Sequence, residues 1–181
     1  LADGMKYFII FTAVAFLAVV VYMPLVRHFI EPGYWEALDT VPVVMLAEIF
    51  MGIYFNLSFW YKLTDHTLWG ALLSGCGAVG MIAGNVVFVP VIGYWACAIG
   101  GLAGYGSAAL LSFLLGRKRY PVSYDWRSIG KFTALAALLY CVLPLMSHYR
   151  LPAWSTMTVG TALLAGYSAL VYKDLKTSRA I

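Results

Sequence analysis

Long apolar runs alternate with short polar stretches along the whole chain. Six of the runs have about 20 residues each, the length of helix that crosses a bilayer core about 30 Å thick. They are Met5–Val26, Val41–Trp60, Leu68–Val89, Tyr94–Leu115, Ser128–Met146 and Ala153–Tyr172. Lipid tails cannot form hydrogen bonds with the backbone, whereas a helix forms these hydrogen bonds between its own N–H and C=O groups. The pattern therefore predicts an all-α membrane protein with six transmembrane helices.

Composition agrees with a chain whose solvent is the lipid bilayer. Of the 181 residues, 62% are hydrophobic and 11% are charged, and the mean hydropathy is +0.83. Soluble domains carry about 25% charged residues. The first run exceeds the apolar core of about 7–15 residues that a cleaved signal peptide has. We therefore interpret it as a membrane span.

The basic residues predict the orientation of the spans. Loops between successive spans lie on alternate sides of a membrane, and ten of the twelve Lys and Arg residues fall on one side. These ten are Lys6, Lys62, Arg117, Lys118, Arg119, Arg127, Lys131, Lys173, Lys176 and Arg179. Basic loops stay in the cytoplasm, so both termini are expected there. The short run of cations at 117–119 adjoins a span and has no wider basic surface around it, so we expect no nucleic-acid partner.

The second span ends in Trp60-Tyr61-Lys62. Tryptophan and tyrosine concentrate at membrane–water interfaces because their rings are amphipathic. The sequence therefore predicts that Trp60 and Tyr61 anchor this span in the inner headgroup layer, with the Lys62 ammonium in water.

Prolines and one polar pair predict where helices begin and end. Asp39 or Thr40 is expected to cap the second span, where a proline in the first turn loses no hydrogen bond. Pro90 is expected to end the third span, and Gly93 is expected to allow the tight turn that follows. Pro24 and Pro144 lie near span ends and are likewise interpreted as terminators.

Small residues recur every four positions in the third and fourth spans. They are Gly80 and Gly84 in the third, and Ala96, Gly100, Gly104 and Ala108 in the fourth. Such faces let helix backbones approach closely. The glycines Gly80, Gly84, Gly100 and Gly104 are therefore helix-packing candidates, either in a static contact or in a sliding interface of a transporter.

Polar residues inside the second span are the candidate cavity or substrate-path residues. A charge at mid-membrane costs at least about 2.5–3.5 kcal/mol, so Glu48 is expected to face protein or water. Either a coupling-ion or substrate role or a hydrogen-bonded packing role would satisfy that requirement. Gly52 and Asn56 continue the same helical stripe, and Lys62 at its end is the third candidate. Asn85, in the third span, is expected to form interfacial hydrogen bonds.

No catalytic, metal or cofactor site is predicted. The chain has no G-x-S-x-G, H-E-x-x-H or P-loop motif. The three histidines lie in loops on different sides of the membrane, and the three cysteines lie in different spans without zinc or redox spacing. We interpret the cysteines as small apolar filler.

Three segments resemble a known family of transporters. They are "GIYFNLSFWYKLTDHTLWGA" at Gly52–Ala71, "NVVFVPVIGYWACA" at Asn85–Ala98 and "GRKRYPVSYD" at Gly116–Asp125. The chain, from about Met5 to about Thr133, resembles the C-terminal part of lipopolysaccharide and capsular polysaccharide biosynthesis proteins. These are Wzx-like oligosaccharide flippases of the multidrug/oligosaccharidyl-lipid/polysaccharide exporter superfamily. The branch that it resembles tends to have an amide at the position of Glu48.

The resemblance implies the rest of the architecture and a substrate. Family members have about fourteen spans in two lobes that rock around a central polar cavity. On that template residues 1–116 hold the last four spans of the second lobe, and residues 117–181 hold an inner loop and a peripheral pair of spans. The implied substrate is an undecaprenyl-diphosphate-linked oligosaccharide, flipped across the bacterial cytoplasmic (inner) membrane. With no initiator methionine and eight spans lacking, the chain is expected to be a C-terminal fragment whose partner is the N-terminal lobe.

Two other functions remain open. A drug or cation antiporter of the same superfamily would have a similar fold, although such proteins usually have about twelve spans. A non-transporting membrane assembly subunit would also fit six spans that carry no site.

Overall fold

A computed structural model describes residues 2–119, 124–148 and 153–178. These ranges contain helices and turns but no strand, so the predicted all-α class is confirmed. The α-helices are α1 Ala2–Phe29, α2 Val41–Leu57, α3 Phe59–Leu63, α4 Leu68–Ile92, α5 Tyr94–Arg119, α6 Trp126–His148 and α7 Ala153–Ser178, and a 3-10 helix covers Pro32–Thr40.

Four helical segments of the described ranges are long and apolar enough to cross a membrane. They are Asp3–Phe29, Pro32–Leu63, Leu68–Ile92 and Tyr94–Arg117. This confirms a membrane-embedded protein with several crossings. Helices α6 and α7 also form where the sequence predicted the last two spans.

The chain divides into two compact units. Unit 1 comprises Leu1–Phe8 and Glu36–Tyr124, and unit 2 comprises Ile9–Trp35 and Asp125–Ile181. This division differs from the sequence-based boundary at residue 116, because most of α1 belongs to the same unit as α6 and α7. Sequence hydropathy could not reveal this, since all the spans are similarly apolar.

Unit 1 is a bundle in which α5 packs against both α2 and α4. Its core includes Tyr54 from α2, Leu73 from α4 and Ala108 and Ala109 from α5. The two alanines leave room for the larger side chains opposite them. In lipid no hydrophobic effect drives helices together, so they associate through close van der Waals packing. Small residues allow this close packing of α4 on α5.

Unit 2 has an aromatic core around α6 and α7. Phe132 and Tyr167 are each 1% exposed, and their rings meet edge to face with centroids 6.2 Å apart. The Tyr167 hydroxyl donates a hydrogen bond to the Phe132 backbone oxygen at 3.3 Å. Leu17 of α1 is 2% exposed and belongs to the same cluster. Here the tyrosine has an internal partner for its hydroxyl, as a buried tyrosine needs.

The start of α2 agrees with the sequence only in its position. The helix begins at Val41, with Pro42 in its first turn, but no side chain caps it. The Thr40 hydroxyl instead donates to the Ala37 backbone oxygen at 2.7 Å. The predicted cap by Asp39 or Thr40 is therefore wrong, because the preceding 3-10 helix already occupies the threonine hydroxyl.

The prolines do not end their helices. Pro90 lies inside α4, which continues to Ile92 and stops at Gly93, whose φ is +58°. Pro24 lies inside α1, which continues to Phe29, and the backbone of α6 continues past Pro144 to His148. Proline removes one helical hydrogen bond, and membrane helices tolerate it where the freed carbonyl is re-satisfied locally. The positive φ of Gly93, which glycine adopts without steric cost, marks the end of α4.

Candidate functional site

Glu48 lies at the middle of a candidate membrane span and is exposed. The span covers Pro32–Leu63, and Glu48 is on the surface of α2. Within the described ranges, no hydrogen bond or ion pair joins its carboxylate to another residue. A carboxylate that faced lipid at this depth would cost at least about 2.5–3.5 kcal/mol. At such a depth we expect this side chain to contact water or a polar group.

Gly52 and Asn56 lie against the first two turns of α1. A Cβ at Gly52 would overlap Cζ of Phe8, so only glycine leaves room for this ring. A Cβ at Gly4 would lie 3.9 Å from Oδ1 of Asn56. The Asn56 amide nitrogen donates to the Gly52 backbone oxygen at 3.1 Å. This part of the stripe therefore has a packing environment within unit 1, unlike the exposed Glu48.

Lys62 is exposed on the short helix α3. Its ammonium nitrogen lies 5.6 Å from the centroid of the Phe59 ring, within the range of a cation–π contact. It lies 14 positions after Glu48 in the chain, which corresponds to roughly 20 Å at the rise of an α-helix. The structure thus brings none of the three candidates Glu48, Asn56 and Lys62 into direct contact with another.

The ring of Trp60 is buried inside unit 1. It is 4% exposed, and its indole nitrogen donates to Oγ of Ser112 in α5 at 3.2 Å. A Cβ at Gly116 would lie 2.7 Å from Cδ1 of Trp60. The predicted headgroup anchor is therefore wrong for Trp60, because small residues of α5 form a slot that admits the whole ring.

Tyr61 is also buried, at 6% exposed, on the side of α4. Its hydroxyl donates to the Tyr54 hydroxyl at 3.4 Å, and the Tyr54 hydroxyl donates to the Gly70 backbone oxygen at 3.2 Å. A Cβ at Gly70 would lie 2.7 Å from Cε2 of Tyr61. The headgroup role predicted for Tyr61 is therefore wrong as well.

We call Tyr54, Trp60, Tyr61, Gly70 and Ser112 the inner cluster. It joins the end of α2 and helix α3 to both α4 and α5 through side-chain hydrogen bonds. Sequence reasoning missed it because adjacent aromatics at a span end also fit a headgroup anchor. The informative signal was the set of small residues on α4 and α5, which leaves space for large rings.

A turn at Ser58 separates α2 from α3. Ser58 is fully buried, and its hydroxyl donates to the Phe55 backbone oxygen at 2.6 Å. Its backbone N–H donates to the oxygens of Tyr54 and Phe55. A serine hydroxyl that bonds to the preceding turn competes with the regular helical pattern. The interruption of the helix at Ser58 immediately precedes the buried residues Trp60 and Tyr61.

The glycines of α4 and α5 differ in what surrounds them. Cβ atoms at Gly77 and Gly104 would each lie 3.4 Å from the other residue's backbone oxygen, so the two helices nearly touch there. A Cβ at Gly100 would lie 2.8 Å from Oδ1 of Asn85. At Gly80 and Gly84 nothing lies within 4 Å. A Cβ at Gly80 or Gly84 would therefore meet no described residue, whereas Gly77 lies where α4 and α5 approach closely.

Asn85 lies beside Gly100 rather than in an interfacial hydrogen bond. Its Oδ1 is buried, and the described residues provide no hydrogen-bond donor to it. A Cα–H group is a weak donor, and glycine exposes two of them to a close oxygen. The interfacial hydrogen bonding predicted for Asn85 is therefore wrong for this oxygen.

The unit 1 site thus has two parts with different chemistry. At mid-span the Glu48 carboxylate is exposed on the surface of α2, and at the span end the inner cluster joins four helices, α2 to α5. Comparison of the chain with protein-family models, with curated proteins and with solved structures found no match.

Proposed function

We propose that this chain is the C-terminal part of a membrane transporter that flips a lipid-linked oligosaccharide across the bacterial cytoplasmic membrane. The observation that carries the proposal is the exposed carboxylate of Glu48 at the middle of a candidate span. Such a group is tolerable where a second lobe or a water-filled cavity meets α2. An alternating-access transporter has a polar cavity at this depth, between its two lobes.

The resemblance to Wzx-like flippases adds the substrate class to the proposal. Within Gly52–Ala71, the residues Tyr54, Trp60, Tyr61 and Gly70 form most of the inner cluster. A run of residues that is typical of one branch of transporters thus has a definite packing role here. On this template α1, α2, α4 and α5 are the last four spans of one lobe, and α6 and α7 are the peripheral pair.

The proposal is tested by deleting the gene in its own host. We expect lipid-linked oligosaccharide to accumulate inside the cell, measured by mass spectrometry of extracted lipids, and surface polysaccharide to fall. Restoration by the intact gene is the control. Unchanged oligosaccharide together with increased sensitivity to cationic drugs would contradict flipping and would indicate the antiporter. No change in either would indicate an assembly subunit.

Replacement of Glu48 by leucine in the intact protein is expected to reduce export at least about tenfold, since the polar cavity would lose its carboxylate. Glu48→Gln is expected to be milder, because an amide keeps most of the hydrogen bonding. Export is measured as surface polysaccharide per molecule of protein in the membrane. Glu36→Leu, in the exposed 3-10 segment, is the matched control and should export normally. Normal export by Glu48→Leu would contradict a cavity role for this side chain.

The orientation proposed from the basic residues is also testable. We expect Thr67, in the exposed turn between α3 and α4, to lie in the cytoplasm and Gly33 to lie outside. Each is changed to cysteine in a background without Cys76, Cys97 and Cys141, and intact cells are treated with a membrane-impermeant maleimide. Position 33 should be labelled, and position 67 should be labelled only after lysis. Labelling of position 67 in intact cells would invert the orientation.

A further inference from the structure

One face of the α2–α3 segment is apolar and exposed where the candidate span ends. Phe55, Phe59 and Leu63 recur every four residues and are 53%, 44% and 59% exposed. Trp60 and Tyr61, between them in sequence, are buried against α5 and α4. The inner cluster thus fixes which side of α3 faces outward. Because the candidate span ends at Leu63, we expect this exposed stripe to lie near the level where acyl chains meet the headgroups.

Two cations lie close in sequence to the residues through which α3 contacts α5. Lys62 is exposed, with its ammonium 5.6 Å from the Phe59 ring. Arg117 is exposed and directly follows Gly116, against which the Trp60 ring packs. Helices α3 and α5 are in contact, and Trp60 of α3 packs against Gly116 of α5, so Lys62 and Arg117 adjoin the same corner of unit 1. Neither forms an ion pair with a described carboxylate.

We propose that this corner binds the phosphate of an acidic phospholipid such as phosphatidylglycerol. The lysine and the arginine match the negative headgroup, and the guanidinium presents several donors to phosphate oxygens. The exposed stripe of Phe55, Phe59 and Leu63 matches the first part of the acyl chains. Lys62, a candidate for the substrate path on sequence grounds, is thereby assigned to the lipid. The inference rests on the spans and these contacts, and it does not depend on transport.

The test compares phosphatidylglycerol with phosphatidylcholine on the purified intact protein in detergent. Native mass spectrometry measures the lipid that remains bound, and thermal unfolding measures the stabilisation by each lipid. We expect the wild type to prefer phosphatidylglycerol. Lys62→Gln should weaken that preference about fivefold, and the double variant with Arg117→Gln up to about 30-fold, since each juxtamembrane cation contributes roughly the same amount. Lys62→Arg should retain the preference.

The matched control is Lys176→Gln, which removes an exposed cation near the end of α7. This variant should keep the full preference, because Lys176 belongs to α7 and the proposed site is formed by α3 and α5. Retention of the full preference by the double variant, or equal loss in Lys176→Gln, would overturn the site. A competition experiment with inorganic diphosphate tests whether the corner binds a soluble phosphate compound instead of a lipid. Failure of millimolar diphosphate to displace the bound lipid supports a lipid site, whereas displacement would assign the corner to a soluble phosphate compound.

Discussion

Replacement of Trp60 by alanine is expected to lower the free energy of unfolding by about 3–5 kcal/mol, the usual cost of removing a buried aromatic side chain. The ring is 4% exposed and fills the slot beside Gly116. Its loss would leave a cavity between α3 and α5 and would also remove the hydrogen bond to Ser112. We expect a lower midpoint of thermal unfolding and a lower folded yield in detergent, measured on the intact protein.

Two variants separate the packing of this ring from its hydrogen bond. Ser112→Ala leaves the buried indole N–H without an acceptor and should cost about 1–3 kcal/mol. Trp126→Ala removes the same kind of ring from a position that is 58% exposed and should change stability much less. An effect of Trp60→Ala no greater than that of Trp126→Ala would mean that the inner cluster does not hold α3 against α5.

Replacement of Gly104 by leucine is expected to destabilise the contact of α4 with α5 by about 1–3 kcal/mol or more, as overpacking does. A Cβ at Gly104 would already lie 3.4 Å from the Gly77 backbone oxygen and 3.5 Å from the Met81 Cβ. A leucine needs further space, which only separation of the two helices can provide. Thermal unfolding in detergent measures the effect, and the midpoint should fall.

Gly104→Ala and Gly106→Leu are the matched controls for this change. The alanine Cβ fits at ordinary contact distance and gains helix propensity, so Gly104→Ala should be neutral or stabilising. Nothing lies within 4 Å of a Cβ at Gly106 on the same helix, so leucine there should be tolerated. Equal thermal midpoints for Gly104→Leu and Gly106→Leu would contradict a close approach of α4 and α5 at Gly104.

Hydropathy predicts the helices of this chain well because membrane crossing sets their length. The starts of α2, α4, α5 and α7 at Val41, Leu68, Tyr94 and Ala153 agree with the predicted spans. Helix ends are less predictable from proline alone. At Pro90 the backbone continues for two more residues to the end of α4. A positive φ at Gly93 accompanies that end, which confirms the turn predicted at this glycine.

Contacts between helices are harder to predict from the sequence than the helices themselves. The spacing of Gly80 and Gly84 is the same as that of Gly100 and Gly104, yet only the second pair has neighbours within 4 Å. Which small face meets another helix depends on the rotation of each helix about its axis. The exposure of Glu48 likewise depends on the rotation of α2 about its own axis. The sequence indicated that this carboxylate needs a polar neighbour, but it could not indicate that no described residue forms a hydrogen bond or an ion pair with it.

The hydrogen bond from Trp60 to Ser112 joins positions that are 52 residues apart in the chain. The two positions are therefore expected to constrain each other during evolution. A substitution of Ser112 that removes its acceptor is unfavourable as long as position 60 carries an indole, because the buried N–H would lose its acceptor. Once phenylalanine replaces Trp60, no N–H remains, and position 112 becomes free to change to alanine. Descendants of this sequence should therefore vary at positions 60 and 112 together, with the change at 60 coming first.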